Sequence, residues 1–534
     1  MNRFRNITLI LVLIMITLGA LFGVRQMQYS LDRTIEEERL RFTGTVTDAP
    51  PAMVFTTVAL GSFRGLLADI LWLRSESLKG QKNYFEMVQL ARWITDLQPN
   101  YSGGTVYLAW NLAYNISVTS SDWEDRWYWV NEGIKLIRDK AMVYNPDDPM
   151  LYRELSWIYL HKLGNLMDDA HLYYKNQMAT QMTNVLGRSL YDLKPLADAP
   201  VGKEEFMRLY PEDHPLWQAV REAGYKDYDQ LAALFREPVQ VALPENLKIR
   251  SEYYQALDAH FRAELLRERF KLDPKRMVAL DEKYGRMDWR VPESQAIYWA
   301  EIGVEKSAAN GRVDVNCMRI VTHGLQAAFR SGRVLMIDND ARTFQAVPNL
   351  NLADSAYAAF EAAEEEFVAS GAGESFRSAK INYLKDAIPL IYIYGNRSKA
   401  QEFFEKLQEI DGPQRQRTLD EFVRNHFIED VRDADVEKAT SVVSGLIQRA
   451  LWELLLGNRE VAVYNESMAR SIHQLYTQKN RDVRRNQLPE YDQIKYYVIN
   501  NMLRNLPEAA QRRLIEEIRA QQAEAAGREE SGDN

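Results

Sequence analysis

The chain has 534 residues, a formal net charge of -9 and one cysteine, Cys317. Its 46% hydrophobic and 26% charged residues exclude a fibrous or wholly disordered protein, and its acidic balance argues against general nucleic-acid binding. The low counts of 18 prolines and 26 glycines favour an all-α fold over a turn-rich β architecture.

The N-terminus contains an uncharged apolar run, Ile7 to Val24, of 18 residues. As a helix this run is about 27 Å long, which is enough to cross a hydrocarbon core. Arg3 and Arg5 precede it, so the positive-inside rule places the short N-terminus in the cytoplasm and the rest of the chain across the membrane. We therefore expect residues 1–25 to be a single-pass anchor with an extracytoplasmic domain, which is periplasmic if the source is bacterial.

A cleaved secretory signal is the competing interpretation of this run. It is disfavoured because Leu18 stands where a cut after Ala20 needs a small residue. Gly19 and Gly23 form a G-x-x-x-G step, which allows two membrane helices to approach closely and predicts a possible homodimer.

A second apolar stretch, Ala52 to Leu73, follows a juxtamembrane spacer at residues 26–51. It contains Arg64 and Asp69, and each charge at a bilayer centre costs about 2.5–3.5 kcal/mol. We therefore expect this stretch to be buried in the extracytoplasmic domain rather than to cross the membrane.

Apolar residues recur at helical spacing from Pro51 onward. The clearest helix is Asn83 to Pro99, with a core stripe, and Leu66 to Leu78 supplies its partner helix. The residues expected to pack between these two helices are Phe85, Val88, Ala91, Ile94 and Leu97 on one side and Leu67, Ile70, Leu71 and Trp72 on the other.

This helix–turn–helix unit resembles the tetratricopeptide repeat (TPR), with Tyr84 and Pro99 at the matching spacing. Two further segments near the C-terminus resemble it as well. Their matching turn, small and aromatic positions are Gly395, Ala400 and Phe404 in one and Gly457, Ala462 and Ala469 in the other. The resemblance implies an α-solenoid that builds interaction surfaces rather than one particular chemistry.

The chain divides on this basis into TPR-like helical pairs at 52–187, an irregular and mostly helical insert at 188–351, and a second set of pairs at 352–503. Within the insert, Val334 to Asp338 and Arg342 to Val347 predict a hairpin. Residues 504–534 predict a charged helix followed by a disordered tail from Gly527.

The common catalytic, nucleotide-binding and metal-binding motifs are missing from the sequence, so we expect no cofactor, no metal and no enzymatic activity. Glu293 and Ser294 form the one pair worth testing as a lyase site, because helical-superhelix murein lyases place a general-acid Glu before Ser. The alternative is that Pro292 begins a helix with Glu293 in its first turn.

The run Trp123 to Trp129 is rich in aromatic residues. Trp123 and Trp127 share a helix face, while Tyr128 and Trp129 point elsewhere. Part of this run is expected in the core, and the remaining rings are candidate interaction residues because exposed Trp and Tyr often anchor interfaces.

The sequence therefore predicts a membrane-anchored, non-catalytic TPR-like scaffold that binds other envelope proteins. The alternative is a protein that binds or processes envelope polysaccharide or peptidoglycan through the Trp123–Trp129 run or Glu293.

Overall fold

The computed structural model describes residues 63–81, 83–164, 168–186, 192–234, 251–336, 344–414, 417–432, 436–480 and 488–530, together with the single positions 15, 19, 23, 26, 30 and 33. The chain divides into two compact units. The first comprises Met1–Tyr152 and Lys306–Gly311, and the second comprises Arg153–Glu305 and Arg312–Asn534.

The N-terminal helices are long and follow one another closely. They are α1 (Phe63–Gly80), α2 (Tyr84–Leu97), α3 (Ser102–Trp110), α4 (Trp123–Lys135), α5 (Pro149–Trp157) and α6 (His171–Leu186). In the first unit α1 packs on α2, α2 on α3 and α3 on α4. This packing of consecutive helices is compatible with a helical-repeat fold.

The middle of the chain, where an irregular and mostly helical insert was predicted, consists mainly of shorter helices. They are α7 (Lys194–Asp198), α8 (Gly202–Leu209), α9 (Pro215–Glu222), α10 (Tyr228–Leu234), α11 (Ser251–Leu265), α12 (Pro274–Tyr284), α13 (Pro292–Ala309) and α14 (Val315–Ser331). An antiparallel hairpin of β1 (Arg333–Met336) and β2 (Phe344–Val347) follows, with Arg333 opposite Val347. The predicted hairpin is confirmed.

The C-terminal part of the second unit returns to long helices. They are α15 (Ala353–Glu366), α16 (Gly373–Ile393), α17 (Arg397–Ile410), α18 (Leu419–Arg432), α19 (Val436–Leu456), α20 (Arg459–Lys479), α21 (Tyr491–Asn505) and α22 (Glu508–Glu530). Consecutive helices pack against each other. The most extensive contacts are between α19 and α20, between α15 and α16, and between α16 and α17. This packing is compatible with a helical-repeat fold.

Local sequence explains where several of these helices begin. The Asp314 carboxylate accepts hydrogen bonds from the N–H groups of Asn316 and Cys317, at 2.8 and 2.9 Å, and so caps α14. Asp122 caps α4 in the same way, accepting from the N–H of Glu124 at 2.7 Å. These short acidic side chains satisfy N–H groups that the first helical turn leaves unpaired.

Each half of the second unit has its own apolar cluster. A smaller cluster in the insert joins α8 to α11 around Phe206, Trp217 and Phe261. A larger one joins α19 to α22 around Leu451, Ile472 and Met502. The insert therefore packs as a helical subdomain rather than as a long connecting loop.

Four helices of the described chain pass into π-helical turns. These turns are Asn111–Ile116 after α3, Leu136–Ala141 after α4, Ile158–Leu163 after α5 and Leu266–Phe270 after α11. A π-helical turn inserts one extra residue into the helical repeat and rotates the side chains that follow it.

The expectation of a disordered tail from Gly527 is wrong for its first residues, because α22 continues to Glu530. No helix in the described part of the chain is both long and apolar enough to cross a membrane. Most of the predicted anchor, residues 1–25, lies outside the described residues, as do the spacer and residues 52–62.

Candidate interaction surface

The first helix of the first unit turns apolar side chains away from the protein. Leu66, Ile70 and Leu73 are 59%, 53% and 72% exposed, and Leu67 beside them is exposed as well. Their spacing of four and three residues places them along one stripe of α1. The expectation that Leu67 and Ile70 would be buried is therefore wrong, whereas Leu71 and Trp72 are half-buried and Ala68 is buried.

These side chains are exposed because α1 packs on its neighbour through the opposite side of the helix. This helix packs on α2, and its buried residues are Ala68, Ser75 and Leu78. Two of these side chains are small, so the backbones of α1 and α2 can approach closely. The helical period alone does not say which of two apolar stripes meets a neighbour, and here the leucine-rich stripe is exposed.

A second set of exposed apolar residues lies on α3 and on the π-helical turn that continues it. Tyr107 and Trp110 are exposed, and the indole of Trp110 stacks on the ring of Tyr114 with centroids 4.1 Å apart and planes at 22°. The π-helical turn begins at Asn111, between the two stacked residues. Such turns occur often at functional sites because they redirect side chains locally.

Side-chain contacts hold α1 and α3 next to each other. The ring centroids of Trp72 and Tyr107 are 5.4 Å apart, and the Tyr107 hydroxyl donates a hydrogen bond to a carboxylate oxygen of Glu76 at 3.0 Å. The exposed apolar residues of the two helices therefore lie on neighbouring elements. We call this surface the α1–α3 face, defined by Leu66, Leu67, Ile70, Leu73, Tyr107 and Trp110.

The predicted aromatic run lies on a different part of the first unit, at the contact between α2 and α4. Trp129 is only 4% exposed and its ring lies 4.9 Å from that of Phe85, centroid to centroid. Trp123 and Tyr128 are exposed, and Trp127 is half-buried. The run thus contributes one core residue. Its other aromatic members lie on α4 and are not part of the α1–α3 face.

Phe85 corrects another expectation. It was predicted to share the core stripe of α2, but it is 69% exposed, whereas Val88, Ala91, Ile94 and Leu97 are buried as expected. The Phe85 ring instead packs against α4, where its centroid lies 6.0 Å from that of the Tyr128 ring. It lies in the first turn of the helix, beyond the area that α1 covers.

Charged groups dominate the rest of the α2–α4 contact. Glu132 is buried between Arg92 and Lys135, whose ammonium lies 3.0 Å from the carboxylate. Asp96 accepts hydrogen bonds from Lys140 at 2.7 Å and from the Tyr144 hydroxyl at 2.9 Å.

These surroundings also affect the phenols at this contact. Burial, followed by the hydrogen bond to Asp96, raises the pKa of Tyr144 to about 12. Burial and then the charge of Glu132 raise the pKa of Tyr128. The α2–α4 contact is a polar structural junction, and the α1–α3 face is the more apolar surface.

Glu293 and Ser294 lie inside the second unit. Glu293 is 2% exposed, and the nearest ammonium, that of Lys175, is 3.9 Å from its carboxylate. Burial raises the pKa of Glu293 and the charge of Lys175 opposes the rise. The Ser294 hydroxyl donates to the backbone oxygen of Asp288 at 2.8 Å. Pro292 begins α13, so the interpretation of Glu293 as a first-turn helix residue fits this placement.

Gly19 and Gly23 are helical and exposed, and a Cβ atom added at either would meet no other atom within 4 Å. The pair is therefore accessible to another helix, as a G-x-x-x-G contact requires. Within the described residues, no three His, Cys, Asp or Glu side chains are arranged to hold a metal ion.

A comparison of the chain with known protein families, with curated proteins and with solved structures gave no match.

The exposed leucines of α1 are the candidate interaction residues that sequence reasoning missed. Their signal was present, because α1 carries apolar residues on more than one side, and a helix of that kind has more apolar surface than one partner helix can cover. The sequence does not say which side stays exposed, since that depends on where α2 packs.

Proposed function

We propose that this protein is a membrane-anchored, non-catalytic scaffold that docks another protein of the cell envelope on its α1–α3 face. The observation that carries the proposal is the exposure of four aliphatic and two aromatic side chains on two adjacent helices. Exposed apolar side chains that are grouped on one helix and on the element beside it commonly mark protein or membrane interaction sites.

The chemistry of the face favours a protein partner over a polysaccharide. Leucine and isoleucine side chains offer no hydrogen bonds and gain stability only by meeting other apolar groups. Tyr107 and Trp110 at the edge are the residue types that most often anchor protein interfaces. A glycan-binding surface would instead need aromatic rings surrounded by polar groups, so polysaccharide binding through the exposed rings of the Trp123–Trp129 run is the alternative function.

The remaining parts of the proposal rest on sequence patterns. The paired helices support a TPR-like solenoid as the architecture of the scaffold. The apolar run Ile7 to Val24 supports a single cytoplasmic-to-extracytoplasmic span, and Gly19 and Gly23 support a homodimer contact within it.

Site-specific photo-crosslinking in cells would test the docking function. A photoreactive phenylalanine analogue is placed at Leu73 in one strain and at Val368, which is equally exposed but lies in the second unit, in another. We expect the Leu73 position to yield a discrete crosslink to one membrane or envelope protein, identified by mass spectrometry. The Val368 position should yield no crosslink to that protein.

The double variant Ile70→Asp/Leu73→Asp provides the second arm of the same experiment. Two carboxylates in the centre of the face should abolish copurification of the crosslinked partner while leaving the melting temperature within about 2 °C of wild type, since both residues are exposed. If the partner copurifies undiminished with this folded variant, the α1–α3 face is not its docking site.

A further inference from the structure

The junction of α16, α19 and α20 in the second unit contains four buried polar atoms to which no protein group is hydrogen-bonded. They are the Tyr394 hydroxyl, Nε of Arg449, Nε1 of Trp452 and Oδ1 of Asn465. Ten buried side-chain atoms of this kind occur in the described residues, so a large share of them is concentrated here. Buried polar atoms are usually satisfied, and a group of unsatisfied ones calls for an explanation. We call the four side chains the polar centre.

Contacts within the junction keep the polar centre together. The guanidinium carbon of Arg449 lies 3.9 Å from the centre of the Tyr394 ring. The Asn465 amide nitrogen donates to the backbone oxygens of Ile393 and Val461, each at 2.8 Å, and this fixes the orientation of the amide and leaves Oδ1 as its unpaired end. Trp452 follows Arg449 by three residues on α19, so both belong to one helix face.

The charges of the polar centre cancel. Arg449 forms an ion pair with the buried carboxylate of Glu453, which also accepts a hydrogen bond from Asn458 at 2.7 Å. Burial raises the pKa of the Tyr394 phenol, which therefore stays neutral. An anion would meet Glu453 and a cation would meet Arg449, so a charged ligand would gain little here.

We propose that the polar centre binds a neutral group that both donates and accepts hydrogen bonds, namely the carboxamide of an asparagine or glutamine side chain presented by a partner protein. A carboxamide oxygen can accept from Arg449 Nε–H and Trp452 Nε1–H, and a carboxamide N–H can donate to Asn465 Oδ1. Tyr394, Arg449 and Trp452 are half-buried and Asn465 is fully buried, so a ligand would reach the four atoms by displacing the outer parts of the first three side chains. The proposal is independent of the α1–α3 face, which belongs to the first unit.

Two small probes of nearly equal shape test the choice between neutral and charged ligands. Full-length protein in detergent is titrated with acetamide and with acetate, and binding is followed by saturation-transfer difference NMR. We expect acetamide to bind and acetate not to bind. Trp452→Phe, which removes the indole N–H donor together with part of the ring, should weaken acetamide binding at least fivefold, because the loss of one hydrogen bond alone costs roughly that much.

Tyr497→Phe is the matched control, because Tyr497 is exposed on α21 and its hydroxyl lies outside the polar centre. It should leave acetamide binding unchanged. Equal binding of acetamide and acetate, or equal weakening by the control, would overturn the proposal. A crystal structure grown with acetamide that shows only water bound at the four atoms would overturn it too.

The variant Tyr394→Phe keeps the test independent of folding. If the Tyr394 hydroxyl has no protein partner, its removal should leave the melting temperature unchanged or raise it, while weakening acetamide binding. A lowered melting temperature would mean that the hydroxyl is hydrogen-bonded within the protein. The Tyr394 hydroxyl would then not be available to a ligand, which would contradict the proposal.

Discussion

Arg290 and Asp288 form an ion pair buried in the second unit that connects the start of α13 to the hairpin. The guanidinium donates to both carboxylate oxygens, at 2.8 and 2.7 Å, and to the backbone oxygen of Val334 at 2.9 Å. The N–H of Val334 in turn donates to Asp288 at 2.9 Å. Because every partner is buried, removing one charge leaves the other without solvent or a counter-ion.

We therefore expect Arg290→Met to lower the free energy of unfolding by about 3–5 kcal/mol, measured by urea denaturation. The matched control is Arg276→Met, which breaks the Arg276–Glu305 pair of 2.7 Å at the surface and should cost less than about 1 kcal/mol. Similar losses for the two variants would show that burial does not set the strength of the Asp288–Arg290 pair.

The ionisation of the Asp281 carboxyl group makes the stability of the folded protein depend on pH. Burial raises its pKa from an ordinary 3.8 to about 6, against the opposing hydrogen bonds from Met287 and Trp289. The folded protein therefore binds this proton more tightly than the unfolded chain does. The contribution to stability is present below about pH 4 and is lost as the pH rises through 6.

Asp281→Asn removes the titrating proton and keeps an oxygen that can accept from Met287 and Trp289. We expect the variant to exceed wild type in stability by about 2–3 kcal/mol at pH 8, with the difference disappearing near pH 4. Melting temperatures measured across this range check the sign. A variant that is less stable than wild type at pH 8 would contradict the raised pKa.

At the scale of elements, two helices of the first unit approach closely because of one glycine. A Cβ atom added at Gly133 on α4 would lie 2.7 Å from the backbone oxygen of Ala109 and 3.3 Å from Cβ of Ala113. Neither neighbour can move without moving α3. The alignment of α3, and with it the position of Trp110 on the α1–α3 face, depends on this contact.

Gly133→Ala should accordingly destabilise the protein by about 1–3 kcal/mol through overpacking. Gly103→Ala is the control on a neighbouring helix, because the nearest side-chain atom, on Tyr101, would be 3.8 Å away. Alanine has the higher helix propensity, so the control should be neutral or stabilising by up to about 1 kcal/mol. Thermal unfolding of both variants provides the measurement, and a neutral Gly133→Ala would mean that α4 can shift freely.

The sequence predicted most elements because they depend on local signals. Periodic apolar residues located α2, α19 and α20 within a few residues, and the strand pattern located the hairpin. The π-helical turns were not predicted, since no residue type marks them. The exposure of Leu66, Ile70 and Leu73 was not predicted either, because it depends on which stripe of α1 meets α2.

At the scale of the whole molecule, the candidate sites could be predicted only in part. It drew attention to Trp123, Tyr128 and Trp129, yet the rings divide between core and surface according to how α4 packs on Phe85. The polar centre joins side chains from three segments that lie between residues 394 and 465. No linear pattern predicts such a convergence, because long-range packing creates it.

The proposed anchor leads to a prediction about assembly. The double variant Gly19→Ile/Gly23→Ile places branched side chains where two helix backbones would meet, and we expect it to shift the full-length protein from dimer to monomer in detergent. Analytical ultracentrifugation measures the change. An unchanged mass distribution would show that the G-x-x-x-G step does not hold copies together.

The exposed leucines of α1 also bear on how the cell makes this protein. A copy whose α1–α3 face has no partner presents to proteases and chaperones the same kind of surface as a misfolded chain. Overproduced copies would then be degraded until their number matched that of the docked protein. If the α1–α3 face docks a partner as proposed, the steady-state amount of this protein would be set by the supply of that partner rather than by its own rate of synthesis.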